Sequence, residues 1–253
     1  MIEDGLRSGS DSGLATHLLR RTGESGRNVP FLAESRRVDL AAALVGLLAG
    51  VVVGPLADRL ATNAPVGAPL LARAPFSPRL RLVSAATMLL GGACGLAFGF
   101  SLEALVSAVF CWILVIVTRT DLEHRLIPDR IVLPGALLMV VGRTVDEPSA
   151  GWILAGLGAG VGLFLLVLAY PRGMGMGDVK LALFLGCGLG LAVVVALFAG
   201  FVAAAVPAVV LLARHGQAAR KQAIPLGPFL ALGALLALFA GEAILDWYWD
   251  VGT

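Results

Sequence analysis

Eight apolar runs follow one another along the chain, separated by short polar or glycine-bearing breaks. They cover about residues 40–57, 83–100, 103–118, 131–142, 151–170, 179–189, 191–212 and 224–241. A helix needs roughly 20 apolar residues to cross a bilayer. The pattern therefore predicts an all-α fold, a polytopic membrane helix bundle with about eight transmembrane helices. The sixth run is short and broken by Gly186, Gly188 and Gly190, which suits a tight hairpin with the seventh. Short helices of this kind occur in bundles that enclose a water-reachable site.

Composition supports the pattern. The 253 residues are 58% hydrophobic and only 14% charged, where a soluble domain carries roughly 25% charge. A net charge of +2 without a long basic run gives nucleic-acid binding no support. Cys94, Cys111 and Cys187 all lie in apolar runs and form no CxxC pair, so neither a disulfide framework nor a zinc site is expected. Small apolar packing is the reading for all three. Residues 1–38 are polar, carry both signs of charge, and lack the apolar core of a signal peptide. They read as a disordered N-terminal tail.

Lysine and arginine set the expected orientation, because cytoplasmic loops carry the excess. Loop 58–82 holds Arg59, Arg73, Arg79 and Arg81; loop 119–130 holds Arg119, Arg125 and Arg130. Loop 171–180 holds Arg172 and Lys180, and loop 213–222 holds Arg214, Arg220 and Lys221. The alternating connections hold only Arg143. The four basic loops are thus expected in the cytoplasm, with both termini outside. Arg20, Arg21, Arg36 and Arg37 in the tail conflict with that, and a re-entrant first run with the tail inside is the alternative. Trp247, Tyr248 and Trp249 suit the headgroup belt at the outer end of the last span. Glu242 and Asp246, four apart, read as solvated. Gly46 with Gly50, Gly156 with Gly160, and Gly158 with Gly162 let helices approach closely and read as packing rather than a dimer face.

Two acids interrupt the apolar pattern where charge is expensive. "TDLEHRLIPD" (120–129) follows the third run and "GMGMGDVKLA" (173–182) opens the sixth. Asp121 and Asp178 open on the same side and are able to meet despite their separation in sequence. Two carboxyls at hydrogen-bond distance hold one proton between them. That state suits peptide hydrolysis: the ionised partner takes a proton from water, and the protonated one donates to the carbonyl oxygen. No metal and no cofactor are needed. Gly175 and Gly177 remove side chains where an extended substrate backbone approaches the acid, and permit backbone angles that other residues avoid. A phosphate cradle is disfavoured, because the Walker Lys-Ser/Thr ending is missing. Pro128 disfavours helix at Ile127 and starts the next helix. Asp129 then reads as a helix-end acid rather than a catalyst. Arg125 and Lys180 read as positive-inside anchors or as cations that steer substrate, with the anchor favoured. His124 reads as a solvated loop residue.

"TDLEHRLIPDRIVLPG" followed by "GMGDVKLA" resembles the type IV prepilin leader peptidases, the bacterial branch of the GxGD intramembrane aspartyl proteases. The resemblance covers about residues 44–240. It implies a catalytic pair at Asp121 and Asp178, with Gly175 and Gly177 as the motif glycines. "IPLGPFLALG" (224–233) resembles the segment that opens the last span, and "GLLAGVVVGPLADRLA" (46–61) faintly resembles the first. The resemblance implies cleavage of the leader from a prepilin or pseudopilin at the cytoplasmic side of the inner membrane, typically after a glycine. Members that also methylate the new amino terminus use S-adenosylmethionine and carry a larger domain, often with two CxxC pairs, after the first span. Here that loop is about 25 residues and has no cysteine. The chain resembles the shorter members without a zinc domain, and S-adenosylmethionine is implied only if methylation is retained. The implied organisation is the tail 1–38, a first transmembrane helix with a short cytoplasmic loop over 39–82, and a peptidase transmembrane domain over 83–250. Two other readings stay open: an ion-coupled transporter using the same acids, and a catalytically silent pilus-assembly homologue. Against the transporter, both acids sit at span ends on one side rather than at the midplane.

Overall fold

The computed structural model describes residues 29–72, 78–170, 174–215 and 225–252, with side chains described for 39–72, 78–170, 174–214 and 225–251. Eight α-helices occupy these residues: α1 (Val29–Asn63), α2 (Leu80–Phe98), α3 (Leu102–His124), α4 (Asp129–Asp146), α5 (Gly151–Ala169), α6 (Met176–Leu189), α7 (Val193–His215) and α8 (Gly227–Gly252). A single 3-10 turn, Gly190–Ala192, joins α6 to α7. No strand occurs among the described residues. The first helix is continuous rather than re-entrant and begins at Val29, so it takes in the last ten residues of the segment read as tail. Arg20, Arg21, Arg73, Arg172, Arg220 and Lys221 lie outside the described residues.

Among the described residues, six segments are long and apolar enough to cross a membrane, and the chain is a multi-pass membrane protein. The difference from eight has two causes. α4 carries Asp129, Arg130, Arg143 and Asp146 within 18 residues. α6 has 14 residues, about 21 Å at 1.5 Å per residue, and counts as a span only when joined to α7.

Close packing at small residues shows that successive helices alternate in direction. A side chain on Gly50 would collide with Met88, and one on Gly54 with Ser84, so α1 and α2 run antiparallel. Gly186 meets Ala155 and Gly156, while Gly160 faces Leu183, pairing α5 with α6. Gly200 faces Leu230 and Gly241 faces Ala192, pairing α7 with α8. Thus α6 and α7 do form a hairpin in direction, turned at Gly190, whose φ of +59° few other residues adopt. Gly46, Gly50, Gly156 and Gly160 pack against neighbouring helices, but Gly158 and Gly162 have nothing within 4 Å of an added Cβ.

The core lies where α3, α4 and α6 meet. Phe110 and Phe184 stack at 5.0 Å between centroids, enclosed by Leu114, Met139, Leu181 and Leu185, all buried. Cys94 and Cys111 lie beside this core with their sulfurs 3.8 Å apart.

Local chemistry sets the helix ends. Ser101 caps α3 at its start, its hydroxyl accepting the Ala104 N–H at 3.0 Å. At the other end Arg125 takes a left-handed conformation, φ 52° and ψ 40°, and its N–H donates to the Asp121 carbonyl at 2.9 Å. Pro128, extended at φ −76° and ψ 117°, is the N-cap of α4. The chain stops and restarts at Pro128 as expected, and Asp129, expected near the start of the next helix, is its first residue. On the opposite side the Arg143 guanidinium is buried rather than in a loop. It donates to the Gly188 carbonyl at 3.0 Å and the Ser107 hydroxyl at 3.1 Å, and lies over the Trp152 ring.

Candidate active site

Asp121 belongs to the last turns of α3, not to the loop after it, and is 6% exposed. Its Oδ2 accepts the backbone N–H of Gly227, first residue of α8, at 2.9 Å. A Cβ on Gly227 would lie 2.8 Å from that oxygen, so only glycine brings the α8 backbone this close without a shift. Asp178 is the third residue of α6, and its Oδ2 accepts the Gly175 N–H at 3.2 Å. That bond satisfies a donor left free at the helix start and fixes the carboxyl toward the cap.

The two acids line one cavity of about 190 Å³ with Arg125, Leu126, Ile127, Asp129, Gly175 and Gly177. The cavity sits at the end of the bundle where α3 finishes and α4, α6 and α8 begin. Such an arrangement places two carboxyls around one small polar space, which is the requirement for activating a water between them.

Of the residues expected here, Asp121, Asp178, Gly175, Gly177, Arg125 and Asp129 all line the cavity. Pro128 is buried behind it as the cap of α4. Lys180 does not line it; its Nζ pairs with Asp129 Oδ2 at 2.6 Å, joining the first turns of α4 and α6. The motif glycines need one correction. Neither has a positive φ: Gly175 is extended at φ −88°, and Gly177 is helical. A Cβ at Gly177 would come within 3.1 Å of Ile127, so its space is taken by the α3–α4 connection rather than left to a substrate. At Gly175 the nearest atom would be Asp178 Oδ2 at 3.6 Å, and only there does a missing side chain keep the cavity open.

Two features escaped the sequence reading. Gly227 was contained in "IPLGPFLALG" but not recognised as a partner of Asp121. Asp58, at the end of the first apolar run, is wholly buried and pairs with Arg119 at 2.5 Å. Arg119 also donates to the Asp58 carbonyl at 2.8 Å and the Thr62 hydroxyl at 3.1 Å. Counted as a loop cation, Arg119 is instead buried two residues before Asp121, pinning α3 to α1. Asp58 meets the criterion that singled out Asp121 and Asp178, an acid at the edge of an apolar run, and was findable by it.

The type IV leader peptidase family matches residues 108–211, a stretch that contains both acids. A prepilin leader peptidase/N-methyltransferase of Bacillus subtilis is 35% identical over 176 residues, covering 68% of this chain and 68% of the relative. The chain belongs to the type IV leader peptidase family. Relatives of this family with the same description, from Legionella pneumophila and Aeromonas hydrophila, are 30% and 34% identical. The matches cover 69% and 70% of this leader peptidase family member but only 63% of each relative's length. No solved structure matches. Among the described residues, no group of three or more histidine, cysteine or acidic side chains is placed to hold a metal.

Proposed function

We propose that this chain is a membrane aspartyl endopeptidase that removes the leader of type IV prepilins or pseudopilins. The observation that carries the reading is the placement of Asp121 and Asp178, from two different helices, around one cavity at one end of the bundle. In this mechanism one carboxylate accepts a proton from the attacking water while the other, protonated, donates to the scissile carbonyl oxygen. The proton taken from water then passes to the leaving amine as the C–N bond breaks, a hydroxyl of the tetrahedral intermediate returns its proton to the other carboxylate, and the pair is again in its single-proton state. Arg125 and Asp129 line the approach, and Gly175 leaves room for an extended backbone beside Asp178.

Orientation follows from charge. Arg59, Arg79, Arg81, Arg119, Arg125, Arg130, Lys180 and Arg214 all lie at the helix ends near the acids. Among the described residues from Asp39 onward, Arg143 is the one basic residue at the opposite end. The bias supports a cytoplasmic active site in the inner membrane, where a precursor presents its leader junction while its apolar stem lies in the bilayer. Membrane lipid surrounds the bundle and supplies that boundary. The relatives' descriptions include N-methyltransferase. The connection between α1 and α2 here is limited to residues 64–79 and holds no cysteine, so we read the chain as a peptidase without that second activity and without need of S-adenosylmethionine.

The test is co-expression with a prepilin, read as a leader-dependent gel shift. Asp121→Asn and Asp178→Asn are each expected to lower cleavage by about 10²–10⁴-fold while membrane insertion stays intact. Full cleavage by either variant refutes the aspartyl mechanism. Absence of cleavage by the unaltered chain would instead favour a silent assembly role.

A further inference from the structure

A second, larger cavity lies on the flank of the bundle between α2, α3 and α8. It measures about 690 Å³ and is bordered by Leu82 and Leu90 of α2, Leu122 and Leu114 of α3, and Pro228 and Leu235 of α8. The distance from Arg79 to Leu90 along α2 is about 16 Å, roughly three turns of a helix. Its polar lining gathers at one end: Arg79, Thr118 and Arg119. Arg79 there is half-exposed and bridges to Glu123 at 3.3 Å. Below that rim, the walls are aliphatic.

The polar rim adjoins the candidate active site. Leu122 follows Asp121 on α3, and Pro228 follows Gly227 on α8, the two residues joined by the 2.9 Å bond. Whatever helix lies in the groove therefore ends beside Asp121, separated from it only by the first turn of α8. A chain that changes from polar to apolar at the membrane boundary matches the groove's change from arginine rim to aliphatic wall.

We propose that this groove receives the apolar stem of the substrate, a single hydrophobic helix continuous with the cleaved junction, and so sets which bond reaches the two acids. The proposal rests on the leader peptidase reading and adds the site that selects the substrate. The stem lies with its polar end at the Leu122–Pro228 rim and its apolar body toward Leu90 and Leu235. Cleavage position is then measured from the seated helix, and the junction is drawn across the start of α8 into the smaller cavity.

The test uses the full chain in lipid vesicles with a prepilin as probe. A photo-crosslinking residue replaces Leu82 of α2 or Leu232 of α8, both of which line the groove, in an Asp178→Asn background, so that bound precursor accumulates. Both positions are expected to crosslink to the stem, with Leu82 reaching stem residues nearer the junction than Leu232 does. The same residue at Leu157, exposed on α5, is expected to capture lipid only. In the otherwise unaltered enzyme, Ala86→Trp, which fills the groove, is expected to raise KM at least tenfold with a smaller change in kcat. Leu157→Trp is expected to leave both unchanged. Lipid adducts alone from Leu82 and Leu232, or an unchanged KM for Ala86→Trp, overturn the groove while leaving the peptidase reading intact. Failure of the unaltered enzyme to cleave refutes the peptidase reading itself, whatever the crosslinks show.

Discussion

Replacing Gly227 with alanine tests whether the start of α8 is part of the active site. The added Cβ would lie 2.8 Å from Asp121 Oδ2 and 3.1 Å from both its Cβ and Cγ. All three contacts are with the acid itself, which is buried and has little room to retreat. Either α8 moves outward or the carboxyl rotates, and each movement breaks the 2.9 Å bond from the Gly227 N–H. A hydrogen bond to a charged group contributes about 1.5–3 kcal/mol. If that alignment is held through the transition state, its loss lowers kcat by about 10- to 150-fold, at 1.36 kcal/mol per tenfold. Gly175→Ala is the comparison: its Cβ would meet Asp178 Oδ2 at an ordinary 3.6 Å, on a backbone already at φ −88°. Its methyl enters the room that Gly175 leaves for the substrate backbone, so it should mainly raise KM and lower kcat less than Gly227→Ala does. The assay is precursor cleavage in vesicles with kcat and KM determined separately, beside the melting temperature of each variant. Gly227→Ala with unaltered kcat refutes the role of α8 in holding Asp121. A Gly175→Ala variant as impaired as Gly227→Ala would show that the cavity mouth, not the N–H bond, decides the rate.

Three further outcomes follow from single contacts. Arg125→Gly should raise stability by about 0.5–1 kcal/mol, because relief of the left-handed backbone, about 1–2 kcal/mol, exceeds the added chain entropy, about 0.5–1 kcal/mol; thermal unfolding in detergent measures it. Asp58→Leu should destabilise by up to about 3–5 kcal/mol, because buried Arg119 then keeps only the longer 3.5 Å carboxylate contact, to Glu123, and Asp58→Leu with Arg119→Met should recover most of that loss in the same unfolding measurement. Asp129→Asn should keep substantial cleavage and change stability by less than about 1 kcal/mol, since its Lys180 partner is partly exposed and such pairs contribute little; an inactive Asp129→Asn would move that acid into the chemistry.

The helices were legible because lipid demands a long, nearly uninterrupted apolar signal. Each of the eight runs falls on a helix, and Pro128 marks a boundary that the fold respects. That Asp121 and Asp178 lie at one end of the bundle and line one cavity was legible as well, because both acids break an apolar pattern at span ends. What stayed hidden is the contact between segments. Gly227 carries no side chain to advertise its role, and its N–H matters only because α8 starts beneath α3. Arg119 and Arg143 looked like loop charges in a linear count, yet both are buried and answer groups on other helices. Gly177 looked like the companion of Gly175, but the structure gives its space to Ile127. A spacing of two along the chain says nothing about which neighbour each glycine faces.

The shortness of α6 is tolerated because the helix is enclosed. Its 14 residues reach about 21 Å, against a hydrocarbon core of roughly 30 Å. A lipid-facing helix of that length would force the surrounding bilayer to thin. Leu181, Ala182, Phe184, Leu185, Cys187 and Leu189 are instead buried among other helices. At the closing turn the Gly186 carbonyl accepts the Gly190 N–H and the Gly188 carbonyl accepts the Arg143 guanidinium, so the backbone is satisfied within the protein. Neighbouring helices rather than acyl chains therefore hold Asp178 at its depth, which insulates the acid from changes in lipid chain length.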